Sequence, residues 1–166
     1  MDFLVAADGW LTWNNGRARC AVGRTGVTPE AAKREGDGST PAGIFPFRRL
    51  LYRGDRGTPV TALAADAIEQ GDAWCEDPAD PRYNTLIKLR PGEPGDRLWH
   101  DDHLYDLVVV LGHNDNPVRS VLGSAIFLHL ARPDYSPTQG CIAVSRADME
   151  RILGDAGPTS RLIVKR

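Results

Sequence analysis

The chain contains no C-x-x-C pair. That spacing is the usual mark of a zinc ribbon or a thioredoxin-like redox site, so both classes are set aside. Cysteine itself is scarce: Cys20, Cys75 and Cys141 are the whole complement. The number is odd, so at least one thiol is free or pairs between chains, and whether Cys20 and Cys75 pair is left open. No apolar run approaches the roughly eighteen residues that cross a bilayer as a helix. The longest, Leu107–Leu111 and Ala125–Leu128, have the length of buried strands. Excess charge is also missing. The net charge is −2 with the basic residues scattered, which argues against a nucleic-acid partner. The opening MDFLVAADGW has neither a basic leader nor a full apolar core, so no signal peptide is expected in this chain. Repeats, low-complexity tracts and linkers are absent too, and one domain over residues 1–166 is expected.

Turn formers, by contrast, are plentiful. The 17 glycines and 12 prolines recur in pairs such as Asp8-Gly9, Asn15-Gly16, Asp37-Gly38, Pro91-Gly92 and Pro94-Gly95. Short runs rich in Val, Ile, Leu and aromatics lie between them, a β-rich pattern. Phe3–Ala7, Trp10–Trp13 and Arg17–Gly23 read as a meander that turns at Asn14-Asn15-Gly16. Gly43–Tyr52, Thr85–Leu89, Leu107–Leu111, Ala125–Leu130 and Cys141–Val144 read as further strands, and Arg161–Lys165 as the one that closes the sheet. One helix is marked by Ser145 as N-cap, Asp148 three residues on, apolar Ala147, Met149, Ile152 and Leu153, and a stop at Gly154 or Gly157. A second is expected over Ala62–Gln70. Residues 24–42 and 71–103 read as long loops, a length that in a compact domain points to function or disorder.

The stretch HLARPDYSPTQGC, residues 129–141, joins a histidine to a cysteine through a polar loop stiffened by Pro133 and Pro137. A free thiol near pKa 8.5 is only a few per cent thiolate at neutral pH, so a reactive one needs a base within hydrogen-bond reach. Adjacent strands joined by this loop would set His129 beside Cys141. Gly140 would let the backbone approach closely and offer N–H groups to an oxyanion. The plainer alternative is a core thiol and a core imidazole, and alkylation separates the two: a catalytic thiol is expected to react fast at neutral pH, a buried one slowly. His113 and Asn114, in GHND after a buried strand, face the same cleft as His129 or form a turn. WHDDHLYD (99–106) offers His100, Asp101, Asp102 and His103 but lacks zincin spacing, so a solvated loop is preferred to a metal. GDGSTPAG (36–43) matches a phosphate loop in composition only.

Taken together, GDGSTPAGIF (36–45) and HLARPDYSPTQGCIAV (129–144) resemble the two signatures of the L,D-transpeptidase catalytic domain, the YkuD-like family. The matching residues are Thr40, Pro41 and Gly43 in the first, and His129 with Thr138-Gln139-Gly140-Cys141 in the second. The resemblance runs from about position 17 to the C-terminus. It implies a mainly β fold, a β-sandwich-like mixed sheet with a short helix after the cysteine. It also implies that Cys141 attacks an L–D peptide bond of a peptidoglycan stem, that His129 takes the thiol proton and later activates the acceptor amine, and that the Gly140 and Cys141 N–H groups hold the oxyanion. A thioester would pass to an amine of diaminopimelate with no metal or organic cofactor, and carbapenems would acylate Cys141.

The chain departs from the family pattern at four places, one of them a His129-to-Cys141 spacing shorter than in many members. Gln139 stands where most members have His before Gly-Cys, Ala143 stands where many have Asn or Arg, and no separate recognition domain is present. Arg24, on the loop after the third strand, either compensates in carboxylate binding or is a plain surface charge, with His113, Asn114, Tyr135, Thr138 and Gln139 as further expected substrate contacts. Tyr135 either stacks on a sugar or stem peptide or packs under its loop. The closest likeness is to a compact proteobacterial branch carrying RPDY-P-GC-A, linked to 1,3 cross-links (L-Ala to diaminopimelate) rather than the widespread 3,3 type. Hydrolysis by an L,D-carboxypeptidase or endopeptidase, and a non-catalytic peptidoglycan-binding module, are the alternatives. A monomer acting in the periplasm is expected.

Overall fold

The computed structural model describes residues 1–166. The chain begins with a meander: β1 (Asp2–Ala6), β2 (Trp10–Trp13) and β3 (Gly16–Ala21). β4 (Val27–Pro29) follows, then a 3₁₀ turn at Glu30–Ala32 and the long β5 (Thr40–Tyr52). An excursion holds β6 (Ala65–Ala67), β7 (Asp72–Trp74), β8 (Leu86–Lys88) and β9 (Asp96–Arg97). The chain ends with β10 (Leu107–Leu111), β11 (Phe127–Leu130), β12 (Ile142–Val144), helix α1 (Arg146–Asp155) and β13 (Arg161–Val164).

The main sheet closes on itself. Its order runs β10-β11-β12-β3-β2-β1-β13-β5, and β5 pairs β10 as well. β5 achieves this by changing partner along its length. Residues 43–46 pair β13, and residues 47–52 pair β10. Pro46 sits at the changeover. It has no N–H to offer, but its carbonyl accepts from Gly112 while Phe47 N–H donates to Ser160, so both edges are satisfied across one residue.

Alternation along the strands sorts side chains to two faces. Leu107, Val109 and Leu111 of β10, Leu128 and Leu130 of β11, and Ile142 and Val144 of β12 fill the interior with Phe3, Phe45 and Phe47. Full burial of each such side chain contributes about 1.5–3 kcal/mol. Helix α1 adds Met149, Ile152 and Leu153 to this core. Ser145 caps it as its sequence suggests, its Oγ accepting from the Asp148 N–H at 3.1 Å. The helix runs through Gly154 and stops with Ala156 as C-cap. The opposite, outward face of the same strands carries Val108, Val110, Phe127 and Cys141. The excursion covers it with Ile68, Trp74 and Leu98. These strands are therefore buried on both sides.

Three expectations are corrected. Residues 24–42 are not loop throughout: β4 pairs parallel to the start of β5. Residues 62–70 form no helix; their centre is β6, which pairs parallel to β5. The Ala64 carbonyl and the Ile68 N–H bond to Leu50 and Tyr52, so an exposed sheet edge overrides the helical tendency of an alanine-rich stretch. Residues 71–103 are not loop throughout: β7 pairs β8 and β9 in a small antiparallel sheet. Of these, β8 lies within the strand expected over Thr85–Leu89, whereas β7 and β9, of three and two residues, are too short to leave a periodic signal. All three cysteines are free and buried. No helix is long and apolar enough to cross a membrane.

Candidate active site

His129 lies in β11, and Cys141 directly precedes β12. These strands are parallel, with Leu128 opposite Ile142 and His129 opposite Ala143. Because side chains alternate, Phe127, His129, Cys141 and Ala143 all point to the outward face, and His129 and Cys141 line one cavity of about 290 Å³. Leu104, Tyr105, Arg132, Pro137, Thr138 and Gln139 complete most of its wall.

Two contacts prepare the histidine. Its Nδ1 lies 2.9 Å from the Leu130 carbonyl, which can only accept, so Nδ1 carries the proton and Nε2 keeps the lone pair. The edge of the Tyr105 ring meets the imidazole, centroids 5.2 Å apart. Burial pulls the His129 pKa down to about 4, so the ring is neutral at pH 7. Burial likewise pushes the Cys141 thiol up to about 12. Its Sγ donates to the Ala125 carbonyl at 3.1 Å. The resting pair is thus thiol and neutral imidazole, not thiolate and imidazolium.

The Ala125 carbonyl is itself held in place. Ala125 adopts φ 53°, a left-handed conformation unusual for a residue with a Cβ. Asn84 Oδ1 accepts from its N–H at 3.2 Å and from Trp74 Nε1 at 2.9 Å. Asn84 Nδ2 donates to the carbonyls of His113 and Asn114. One buried amide therefore ties the excursion to the loop before β11 and aims a carbonyl at the thiol.

The loop before Cys141 is bonded to the rest of the fold along its length. Thr138 exchanges backbone bonds with Val22 and Arg24. Its hydroxyl accepts from Gly140 N–H at 3.1 Å and donates to the Cys141 carbonyl at 2.6 Å. Gly140 has φ 139°, and a Cβ there would come within 2.8 Å of the Ser39 carbonyl, so the close approach expected of this glycine is real. Its N–H is committed to Thr138, however. Of the two N–H groups expected to receive an oxyanion, only that of Cys141 takes no hydrogen bond.

The other expected substrate contacts divide. Gln139 and Thr138 line the cavity. Arg24 does not, but its guanidinium bonds to the Gln139 side-chain carbonyl and so reaches the rim through it. Arg132, not singled out from sequence, is the cation in the wall beside Ala143. Tyr135 packs on Ala21, Ala131 and Ala143 with the Arg19 guanidinium 4.5 Å above its ring, the packing alternative. His113 and Asn114 are not brought to this cavity. They line a separate one with Glu30 and Asp115. There Asn114 staples its own loop, bonding to the Arg119 and Gly123 carbonyls. The turn reading of GHND is the better one because β10 ends at Leu111, and the chain leaves the outward face there. His103 Nε2 donates to the Ala131 carbonyl of the loop at 3.0 Å.

Sequence reasoning also missed Tyr105 and Asp96. The Tyr105 hydroxyl donates to Asp96 at 2.7 Å, and its ring backs His129. Nothing in the local sequence marks either residue. Only the folding of the excursion over the outward face brings them to the thiol.

The family model described as the L,D-transpeptidase catalytic domain, YkuD, matches residues 3–164. No curated protein matches the chain.

Proposed function

The chain belongs to the L,D-transpeptidase catalytic domain family, and from that premise we propose that it is a cysteine-dependent enzyme that cross-links peptidoglycan stems through a thioester on Cys141. The observation that carries this reading is the shared cavity: His129 and Cys141 line one space on the outward side of parallel neighbouring strands. A donor stem enters beside them. His129 takes the thiol proton as sulfur attacks the carbonyl, not before, because the free pKa values oppose transfer. The imidazolium is offset by the developing oxyanion, which the Cys141 N–H receives. The imidazolium then gives its proton to the departing amine. The acceptor amine attacks the thioester and restores the thiol.

We further assign the product to the 1,3 class, since Ala143 leaves the cavity floor without the polar side chain that many members carry there. Gln139, Thr138 and Arg132 are the contacts proposed for the stem. The protein acts as a monomeric single domain in the periplasm, where its substrate lies, and carbapenems acylate Cys141. The test is mass analysis of muropeptides after incubation with pure protein. A cross-link between L-Ala and diaminopimelate is expected. A 3,3 product would overturn the linkage, and shortened stems without cross-links would favour the hydrolytic alternative.

A further inference from the structure

The outward face that carries Cys141 continues beyond β12. Paired residues on neighbouring strands share a face, and Ala143, in the wall of the catalytic cavity, stands opposite Ala21 of β3. Arg19 and Arg17 share that face with Ala21 at intervals of two residues. Arg19 stands opposite Trp10 of β2, and Arg17 opposite Thr12. Over β10 and β11 the excursion covers the outward face. Beyond the Tyr135 ring, which packs on Ala21 and Ala143, the face is open: Thr12, Arg17 and Arg19 are exposed. Strand spacings put Arg19 roughly 8 Å and Arg17 roughly 14 Å from Ala143 along the sheet.

Both arginines are held ready. The Arg19 guanidinium lies over the Tyr135 ring, 4.5 Å from its centroid, and that of Arg17 over the Trp10 ring at 3.6 Å. Tyr135 adopts φ 55°, so the loop carries local strain with its ring beneath Arg19. Stacking occupies one face of each guanidinium and leaves its in-plane N–H groups free. The guanidiniums of Arg48, Arg53 and Arg161 each meet a carboxylate; these two meet none. No acidic residue occupies β2, β3 or β12. Arg132, in the cavity wall, is a third exposed guanidinium without a carboxylate partner. The three make a series of unneutralised positive charges that starts at the catalytic cavity and runs out over the meander, in a chain whose net charge is −2. Flat forks repeated along a strand suit carboxylates repeated along an extended partner. A polymer of peptide stems supplies them, because the neighbours of a stem held in the cavity lie outside it and carry free carboxylates of their own.

We propose that the outward face of β2 and β3 is a docking track for peptidoglycan as a polymer, on which Arg19 and Arg17 take carboxylates of the strand beyond the stem that enters the cavity. The proposal rests on the peptidoglycan reading above and adds to it a surface outside the catalytic cavity. A guanidinium already stacked on a ring loses little freedom when a carboxylate arrives at its edge, which is what the two aromatic rings contribute. The enzyme therefore prefers a donor stem on the intact polymer to the same stem free in solution. Salt reduces that preference, because charges this exposed are screened.

The experiment measures co-sedimentation of the full chain with purified peptidoglycan sacculi, from about 50 to about 300 mM salt, beside turnover of a free stem-peptide donor. Wild type should sediment, and less so as salt rises. Arg17→Gln with Arg19→Gln should weaken sedimentation by roughly five- to thirtyfold and flatten its salt dependence, while turnover of the free donor stays at the wild-type level. Both side chains are exposed, so the double variant should fold, which an unchanged Tm verifies. A control that needs no variant uses sacculi whose carboxylates have been converted to amides. Wild type should bind these about as weakly as the double variant binds native ones. Equal sedimentation of wild type and double variant, equal binding to native and amidated sacculi, or equal retention by dextran sulfate, a polyanion without carboxylates, would overturn the track and leave the thioester reading intact. Failure of wild type both to sediment and to release the leaving group from a free donor would remove both.

Discussion

Thr40 and Gly140, one hundred positions apart, are joined by a buried hydrogen bond: Thr40 Oγ1 donates to the Gly140 carbonyl at 2.8 Å. The same oxygen accepts from the Gly23 N–H at 2.8 Å. The Thr40-Pro41 turn is therefore a clamp on the Gly140-Cys141 segment, and it holds the residue before the thiol rather than touching substrate. Thr40→Val keeps the shape but strands a buried N–H and a buried carbonyl. A loss of about 2 kcal/mol is expected, seen as a lower denaturant midpoint with an unchanged slope. Thr40→Ser should recover most of it. A midpoint equal to wild type in Thr40→Val would show that the clamp contributes nothing.

Cys141 is expected to be the sole nucleophile. Cys141→Ala should abolish both product and β-lactam adduct, while Cys75→Ala and Cys20→Ala keep the adduct. Cys20 lies in the main core, so its variant should lose some stability as well. Peptide mapping of the adduct decides the point, and an adduct on Cys20 or Cys75 would contradict it.

His129→Ala should lower the rate by roughly two to four decades. With its pKa near 4, the acid limb of wild-type kcat/KM should fall near pH 4, not near neutrality as an unperturbed imidazole would give. The stability consequence has a definite sign. Between pH 4 and 6.5 the unfolded chain binds a proton that folded His129 refuses, so stability falls as pH drops through that window and is complete above it. Denaturant titrations of wild type and His129→Gln at pH 5 and 7.5 measure it; an equal pH slope in both would assign the effect elsewhere.

Iodoacetamide should alkylate Cys141 slowly at pH 7, because a thiol raised to about 12 by burial supplies little thiolate. The rate should climb steeply above pH 9. A β-lactam, which fills the cavity and offers an oxyanion, should acylate the same sulfur far faster than its alkylation rate implies. Rapid alkylation at pH 7 would mean that an imidazolium–thiolate pair forms without substrate.

Asn84→Ala should disturb the thiol without touching it. It frees the Ala125 N–H, Trp74 Nε1 and two carbonyls. A destabilisation of about 2–4 kcal/mol is expected from so many stranded groups. A lower acylation rate that Asn84→Gln fails to rescue would mark the amide's reach as decisive. Acylation at the wild-type rate in folded Asn84→Ala would show that the Ala125 carbonyl need not be aimed.

Local chemistry made much of the molecule legible. The meander, β10, β11, β12, β13 and the Ser145 cap follow from alternation, turn formers and a side-chain oxygen placed before an apolar run, all of which act within a few residues. His129 and Cys141 could be paired because parallel neighbours joined by a stiff loop keep their alternation in step. Gly140 could be singled out because only glycine tolerates so close a backbone approach.

The rest depended on partners distant in sequence. Residues 62–70 became strand because β5 offered an edge, and edges do not exist until the sheet forms. His113 left the cleft where β10 ended, and the Gly140 N–H went to Thr138, outcomes decided by a single competing hydrogen bond. Tyr105 and Asp96 came to line a cavity with Cys141 only because an excursion of very short strands folded back over the outward face. Periodicity names the face a residue takes, since that is set by its own backbone. Which residues then cover that face, and what they do to the pKa of the groups beneath, is decided by burial and charge brought from far along the chain.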